Sequence, residues 1–369
     1  MRKGKMLILS IVLLLLFVTA CSTTVGVSYM RPSDVDMGKY RNIAIASTVP
    51  YKGYLPYPSR IRCLDLATSS IYIGSSYGKN LPKRVAEYAT NTLVSALSQT
   101  GYYNILPPEM TDRYLGIGYI GYSPSKELID AGYDAVMIPK IEDMDIDELI
   151  WAEFDSYKVD KDGNKFPVYE YYIKRIASIT YSITVIDCKT DKIISKRTYQ
   201  DDMVWTDDFD PNNLFFSVDA YYMFKSMING FKGSILRNFV PSKVVMSLSL
   251  MSNKPKLANV EGAYEDAKNG NLARAYDSFI DIWNRNGHIP SGYNAALIKS
   301  ALGDYDSSLS ILSEMRESVV NADVEQLYRT VSLMKQSTAE AEAQIDGAST
   351  LGEQKESNNF SIYDYVMNN

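Results

Sequence analysis

The stretch "TNTLVSALSQTGYYNIL", Thr90 to Leu106, joins the end of one regular element to the start of another. Up to its glycine, apolar side chains recur every three or four residues, at Val85, Ala89, Leu93 and Leu97. Pro82 suits a first helical turn and Gly101 suits a helix stop. The pattern predicts an amphipathic helix over residues 82–99, followed at once by a short strand within residues 102–108.

On both sides of this junction, the sequence predicts further strands, and it predicts a second helix after it. "NIAIAST", Asn42 to Thr48, is a short β-rich apolar run before it, and "DAGYDAVMIPKIEDM", Asp130 to Met144, contains another after it. "ITYSITVIDCKTDKIIS", Ile179 to Ser195, indicates a hairpin, and residues 213–236 show helical periodicity. We therefore expect an α/β domain over residues 41–250, with a mixed sheet and flanking helices.

The amino-acid sequence of these segments resembles that of a family of bacterial envelope proteins. The matching positions are Leu93, Leu97, Gly101, Tyr103, Ile105, Gly132, Asp134, Ala135 and Val136. Residues 42–245 resemble the curli-secretion lipoprotein, the penicillin-binding-protein activator lipoproteins and the TolB amino-terminal domain. The resemblance implies an α/β fold and relatives that mainly recognise partner proteins. Because these motifs are mostly packing patterns, they leave the function open.

One insertion separates the chain from the curli channel, which needs long membrane-crossing hairpins. Residues 151–172 contain the charged segment "DKDGNKF", Asp160 to Phe166, and are short for that purpose. Asp162-Gly163 is an ordinary turn pair. We interpret the insertion as an exposed β-ribbon rather than part of a pore.

The carboxyl-terminal third repeats itself. "YEDAKNGNLARAYDSFIDIW", Tyr264 to Trp283, and "YNAALIKSALGDYDSSLSIL", Tyr293 to Leu312, place Gly270 opposite Gly303. A spacing of ~34 residues with a glycine at the turn resembles tetratricopeptide repeats. We expect tetratricopeptide-like helices over residues 257–345 and a flexible tail over 346–369; a generic helical bundle is the alternative.

Such repeats offer a concave groove to a partner, lined by the first helix of each pair. The residues predicted to line it are Tyr264, Lys268, Asn294, Ile298 and Lys299. For Tyr264 and Ile298 the alternative role is packing between helices.

The amino terminus carries an export signal. A cationic start precedes an apolar run, and "LLLLFVTACSTT", residues 13–24, resembles the lipobox of bacterial lipoproteins. Residues 1–20 are then a signal peptide, Cys21 is the lipid-attachment residue, and residues 21–40 form a lipidated flexible leader. In the lipoproteins that this resembles, Asp directly after the cysteine favours the inner membrane and most other residues allow sorting to the outer one, so that Ser22 favours the outer membrane. A plain signal peptide or an uncleaved helical anchor is the alternative.

Composition argues against several other functions. Without its signal the chain has a formal charge of about −9, which disfavours nucleic acid. The only histidine, His288, lies in a turn, where we expect it to be solvated without a catalytic partner. The carboxylates of residues 142–148 and 201–210 are interpreted as solvated faces rather than metal sites. Cys63 and Cys188 could form one disulfide in an exported protein, but nothing in the sequence places them together. We predict no catalytic residue, cofactor or metal.

The sequence thus predicts a non-enzymatic, lipid-anchored envelope protein, held at the outer membrane and facing the periplasm. It would bind one or more envelope proteins as an assembly or regulatory module. The alternative is a homo-oligomeric ring related to the curli-secretion lipoprotein.

The lipobox predicts that Cys21→Ala abolishes lipidation, since the thiol is the acceptor. Metabolic labelling with a palmitate analogue should mark the wild type and a Cys63→Ala control, but not Cys21→Ala. Equal labelling of all three chains would contradict the assignment.

Overall fold

The computed structural model describes residues 23–53, 55, 60–61, 80–115, 124–208 and 220–347. Cys21 with the signal peptide, Cys63, residues 213–219 of the second predicted helix and residues 348–369 of the predicted tail lie outside them. The chain divides into two compact units. Among described residues, one contains Ser33–Val240, and the other combines residues 23–32 with Pro241–Asp346.

The first unit, called here the sheet unit, is built on one mixed sheet. Its strands are β2 (Asn42–Ile45), β3 (Arg60–Ile61), β4 (Asn104–Leu106), β5 (Ala135–Val159), β6 (Lys165–Asp187) and β7 (Ile193–Asp208). The order is β4-β2-β5-β6-β7, with β3 also beside β5. β2 is parallel to β4 and β5, whereas β5, β6 and β7 are antiparallel in turn. The predicted α/β class with a mixed sheet is confirmed.

Helices cover both faces of this sheet at its core. They are α1 (Leu81–Ser98), α2 (Pro108–Tyr114), α3 (Pro124–Asp130) and α4 (Ala220–Phe239). Side chains of β2 alternate between the faces: Ile43 and Ile45 join the cluster formed with α1 and α4, whereas Ala44 packs with Leu128 of α3. The predicted helix over residues 82–99 is α1, and its periodic apolar residues are buried.

The predicted hairpin over residues 179–195 is also confirmed. Its turn places Asp191 in the left-handed region with a φ of 58°. The Asp187 carboxylate accepts hydrogen bonds from the backbone N–H groups of Lys189 and Thr190, and from the Tyr40 hydroxyl at 2.7 Å. These bonds fix the turn.

The second unit, called here the helical unit, contains two strands and five α-helices among its described residues. β1 (Thr24–Arg31) pairs antiparallel with β8 (Ser242–Ser249) over its whole length. The helices are α5 (Glu261–Lys268), α6 (Leu272–Asn286), α7 (Ile289–Ala301), α8 (Tyr305–Ser318) and α9 (Ala322–Ile345). No described helix combines the length and apolar character that crossing a membrane requires.

The strand β1 differs from the flexible leader predicted over residues 21–40. Val25 and Val27 are buried in the core of the helical unit because β1 has a partner in β8. The division of the chain differs as well. The sheet unit ends at Val240 rather than residue 250, because β8 pairs within the helical unit.

The helices of this unit keep the spacing of the sequence repeat. α5 and α7 end 33 residues apart, α6 and α8 begin 33 residues apart, and Gly270 and Gly303 both have positive φ. Ala275 and Ser308 are both fully buried. The carboxyl-terminal part of the described chain is therefore a region of several helices, and their tetratricopeptide-like character stays a prediction.

Candidate functional site

A two-stranded ribbon extends from the sheet unit beyond its core. Among the described residues, β7 pairs with β6 as far as Asp208, opposite Tyr172, whereas β5 and β6 continue to pair as far as Val159 and Lys165. Residues 151–159 and 165–172 thus form a ribbon roughly 25 Å long. This is the β-ribbon predicted for the insertion.

The tip of the ribbon is closed by the side chain of Asp160. Its carboxylate accepts hydrogen bonds from the backbone N–H groups of Asp162 and Asn164, at 2.9 and 2.8 Å, and from the Asn164 amide. Hydrogen bonds from Asn164 lower the pKa of this carboxyl group. Gly163 has a φ of 87°, which a glycine adopts without strain. The segment from Asp160 to Asn164 is therefore a tight turn.

A β-bulge decides which side chains share a face. Phe154 pairs with Tyr169 and Ser156 pairs with Val168, so that Asp155 is the extra residue on β5. Without this residue, Tyr157 would point to the opposite side from Phe154. With it, the Tyr157 and Phe154 rings meet at 5.0 Å between centroids, and Phe154 also contacts Tyr169 at 6.2 Å.

These residues form an exposed apolar surface, called here the aromatic face: Phe154, Tyr157, Val159 and Tyr169. Their side chains are 52%, 64%, 59% and 38% exposed, respectively. The same side of β6 is buried from Ile173 towards the core, so that the aromatic face continues a core face into solvent. Contiguous exposed apolar surface of this kind marks interaction sites.

The opposite side of the ribbon has a different character. Trp151 and Tyr172 stack there with centroids 5.5 Å apart, next to Glu153 and Glu170. Glu153 accepts a hydrogen bond from the Trp151 indole and Glu170 accepts one from the Tyr172 hydroxyl. The two sides therefore differ in charge: this side combines its rings with carboxylates and also exposes Phe166, whereas the aromatic face contains neither glutamate.

Two of the predicted groove residues instead hold a connecting segment. Asn294 is fully buried; its Oδ1 accepts from the Met251 N–H at 2.7 Å and its Nδ2 donates to the Met251 carbonyl at 3.0 Å. The Tyr264 hydroxyl donates to that same carbonyl and accepts from Asn294 Nδ2. Together they attach the chain after β8 to α5 and α7.

The other three predicted residues do not extend this pair into a groove. Ile298 is fully buried in the core of the helical unit, which agrees with the alternative role of packing between helices. Lys299 binds Asp304 at 2.9 Å and lies over the Tyr276 ring, whereas Lys268 is exposed at the end of α5. Asn294 and Ile298 therefore cannot touch a partner directly, because other parts of this unit cover them.

The prediction that His288 is solvated is wrong. The side chain is 6% exposed; its Nδ1 lies 2.7 Å from the Ser291 hydroxyl and its Nε2 3.0 Å from the Pro255 carbonyl. Both ring nitrogens are engaged because the segment before α5 folds over the start of α7. The histidine thus joins two parts of the helical unit.

The first carboxylate cluster contains an ion-paired network. Glu142 binds Lys140 at 2.9 Å and Lys196 at 2.7 Å, and it accepts from the Ser182 hydroxyl. Partial burial raises the pKa of Glu142, but the hydrogen bonds from Lys196, Lys140 and Ser182 outweigh it and lower the pKa to about 2. Within the described ranges, no group of three or more potential ligands is placed to hold a metal ion.

Comparisons with known proteins give weak likenesses. No protein-family model matches the chain, and no curated protein matches it. The PelC dodecamer from Paraburkholderia phytofirmans aligns with 58% of this chain and 96% of its own, at 11% identity and a TM-score of 0.23. Lipoprotein GNA1162 from Neisseria meningitidis aligns with 53% and 99%, at 9% identity and a TM-score of 0.22. Scores this low do not establish a shared fold.

The buried bonds of Asn294 predict a structural effect when this residue is replaced. Asn294→Ala should lower the free energy of unfolding of the helical unit by about 2 kcal/mol, because the Met251 N–H loses its acceptor. Lys268→Ala, a change at an exposed position of the same predicted set, should stay within about 0.5 kcal/mol.

Urea unfolding followed by Trp283 emission measures this difference, in a chain that also carries Trp151→Phe and Trp205→Phe. Trp283 is then the only tryptophan of the three. Equal stability of the two variants would mean that Asn294 does not hold the connecting segment.

Proposed function

We propose that this chain is a non-enzymatic, lipid-anchored protein of the cell envelope whose aromatic face binds another envelope protein. The exposed rings of Phe154, Tyr157 and Tyr169 are the observation that carries the proposal. Interfaces are enriched in aromatic side chains, and a few such residues supply most of the binding free energy.

The aromatic face is ordered before any partner arrives. Phe154 is held between Tyr157 and Tyr169 by ring contacts, and the two strands below it are joined by a continuous ladder. Side chains that are already confined lose less conformational freedom on binding. The ribbon therefore suits a specific partner better than a loop of the same composition would.

The lipid on Cys21 would set where this binding occurs. β1 begins at Thr24, so that only Ser22 and Thr23 separate the proposed anchor from a paired strand. The helical unit would then lie close to the membrane surface, on the periplasmic side of the outer membrane if Ser22 acts as it does in the resembling family. Two or three acyl chains would make the attachment durable.

Two groups that general acid–base chemistry could use, His288 and Glu142, make structural contacts instead. His288 bonds to Ser291 and Pro255, and Glu142 is neutralised by two lysines. General acid–base chemistry needs a titrating group that can reach a substrate. These contacts support a binding role over a hydrolytic one, with the tetratricopeptide-like helices as a second binding module.

The proposal predicts crosslinking from the aromatic face in living cells. A photoreactive benzoylphenylalanine at position 157 should give a discrete adduct, because a partner covers this face. The matched control is position 222 on α4, where Tyr222 is 65% exposed against 64% for Tyr157. Mass spectrometry of the adduct identifies the partner.

Adducts of equal yield at positions 157 and 222, or none at 157, would contradict the proposal. An adduct that contains two copies of this chain would instead favour the homo-oligomeric alternative.

A further inference from the structure

A cleft of about 650 Å³ opens on the helical unit at a place that the predicted groove does not include. It lies where α6 ends and α7 begins, beside the end of α8. Its walls include Trp283, Ile289, Glu314 and Val319. Clefts of this size are in the range of known ligand sites.

Trp283 is fixed in the wall of the cleft by a glycine. A Cβ atom on Gly292 would lie 2.8 Å from Cδ2 and 2.9 Å from Cε3 of the indole, so that the ring packs directly on the backbone of α7. The side chain is only 7% exposed. No described residue accepts a hydrogen bond from its indole N–H, and this nitrogen is not among the buried polar atoms without partners. The N–H therefore keeps some exposure to solvent.

The electrostatics of the cleft favour a cation. α6 and α8 both direct their carbonyl ends towards it, and a helix carries partial negative charge at that end. Glu314 is exposed and forms no ion pair with any described residue, whereas Arg285 and Arg316 are paired with Asp281 and Glu325.

The start of α7, which carries the opposite partial charge, presents fewer free N–H donors than most helix starts. Pro290 has no N–H, and the N–H groups of Ser291 and Gly292 both bond to the His288 carbonyl.

We infer that this cleft binds a lysine or arginine side chain from an extended segment of a partner protein. The alkyl stem would lie along Ile289 and Val319, the charged head would bind Glu314, and a backbone carbonyl of the segment would accept from the Trp283 N–H. Long basic side chains combine an apolar stem with a charged head in this manner. The inference rests on the proposed function only in taking the occupant to be a protein.

A pair of peptides tests the charge at constant shape. Gly-Ser-Val-Lys-Val-Ser-Gly and the same peptide with acetyl-lysine are titrated into the full-length protein in detergent micelles, in the background where Trp283 is the only tryptophan. The lysine peptide should change Trp283 emission with a Kd about tenfold lower than the acetylated one, since a charge-assisted bond is lost on acetylation.

Two matched variants assign the effect to the cleft. Glu314→Gln should remove the difference between the peptides, whereas Glu317→Gln, an exposed carboxylate further along α8, should preserve it. Equal affinity of both peptides, no change in Trp283 emission, or equal sensitivity of the two variants would overturn the inference. Crosslinking from position 157 does not involve this cleft, so the two proposals fail separately.

Discussion

The continuous antiparallel pairing of β5 with β6 is the constraint on which the sheet unit depends. From Ala135 opposite Asp187 to Val159 opposite Lys165, one ladder runs through both the core and the ribbon, with bulges near Glu142 and Asp155. Helices cover both faces of the first half, which buries Ile179, Ile183 and Ile186. Hydrophobic burial in this half fixes the register of β5 against β6, and the same register continues into the half that no helix covers.

This coupling explains how an apolar surface can remain in solvent without collapsing. A two-stranded hairpin alone is marginally stable in water, but this one grows from a sheet that is packed on both faces. Its tip is closed by the hydrogen bonds of Asp160, and the side opposite the aromatic face carries the carboxylates Glu153 and Glu170. The packed part of the sheet thus supports the aromatic face, in addition to the ring contacts of Phe154.

The sequence predicted those features that depend on local pattern. The helix at residues 82–99, the turn at Asp162-Gly163 and the hairpin around Asp187 follow from periodicity and turn chemistry, which neighbouring residues determine. The pairing of β1 was not predictable in this way, because its partner β8 lies at the other end of the chain. A polar segment with alternating valines, Val25 and Val27, was the available signal.

The candidate site shows the same limit. The repeat placed Tyr264 and Asn294 correctly on the first helix of each pair, but it could not show that Met251 would occupy their polar groups. Likewise, His288 is buried by a segment more than thirty residues earlier. The aromatic face depends on a bulge at Asp155, which changes the side chains that share a face. Such a bulge can be located only when the pairing with the partner strand is known.

Hydroxyl-radical footprinting of the ribbon tests most directly whether its aromatic face is an interface. Oxidation of Phe154 and Tyr157 is compared between intact cell envelopes and the purified protein, with Tyr222 as the internal reference of matched exposure. The account predicts that oxidation of Phe154 and Tyr157 falls several-fold in envelopes while that of Tyr222 is unchanged, because a partner excludes water from the rings. Equal oxidation of Phe154 and Tyr157 in both preparations would contradict it.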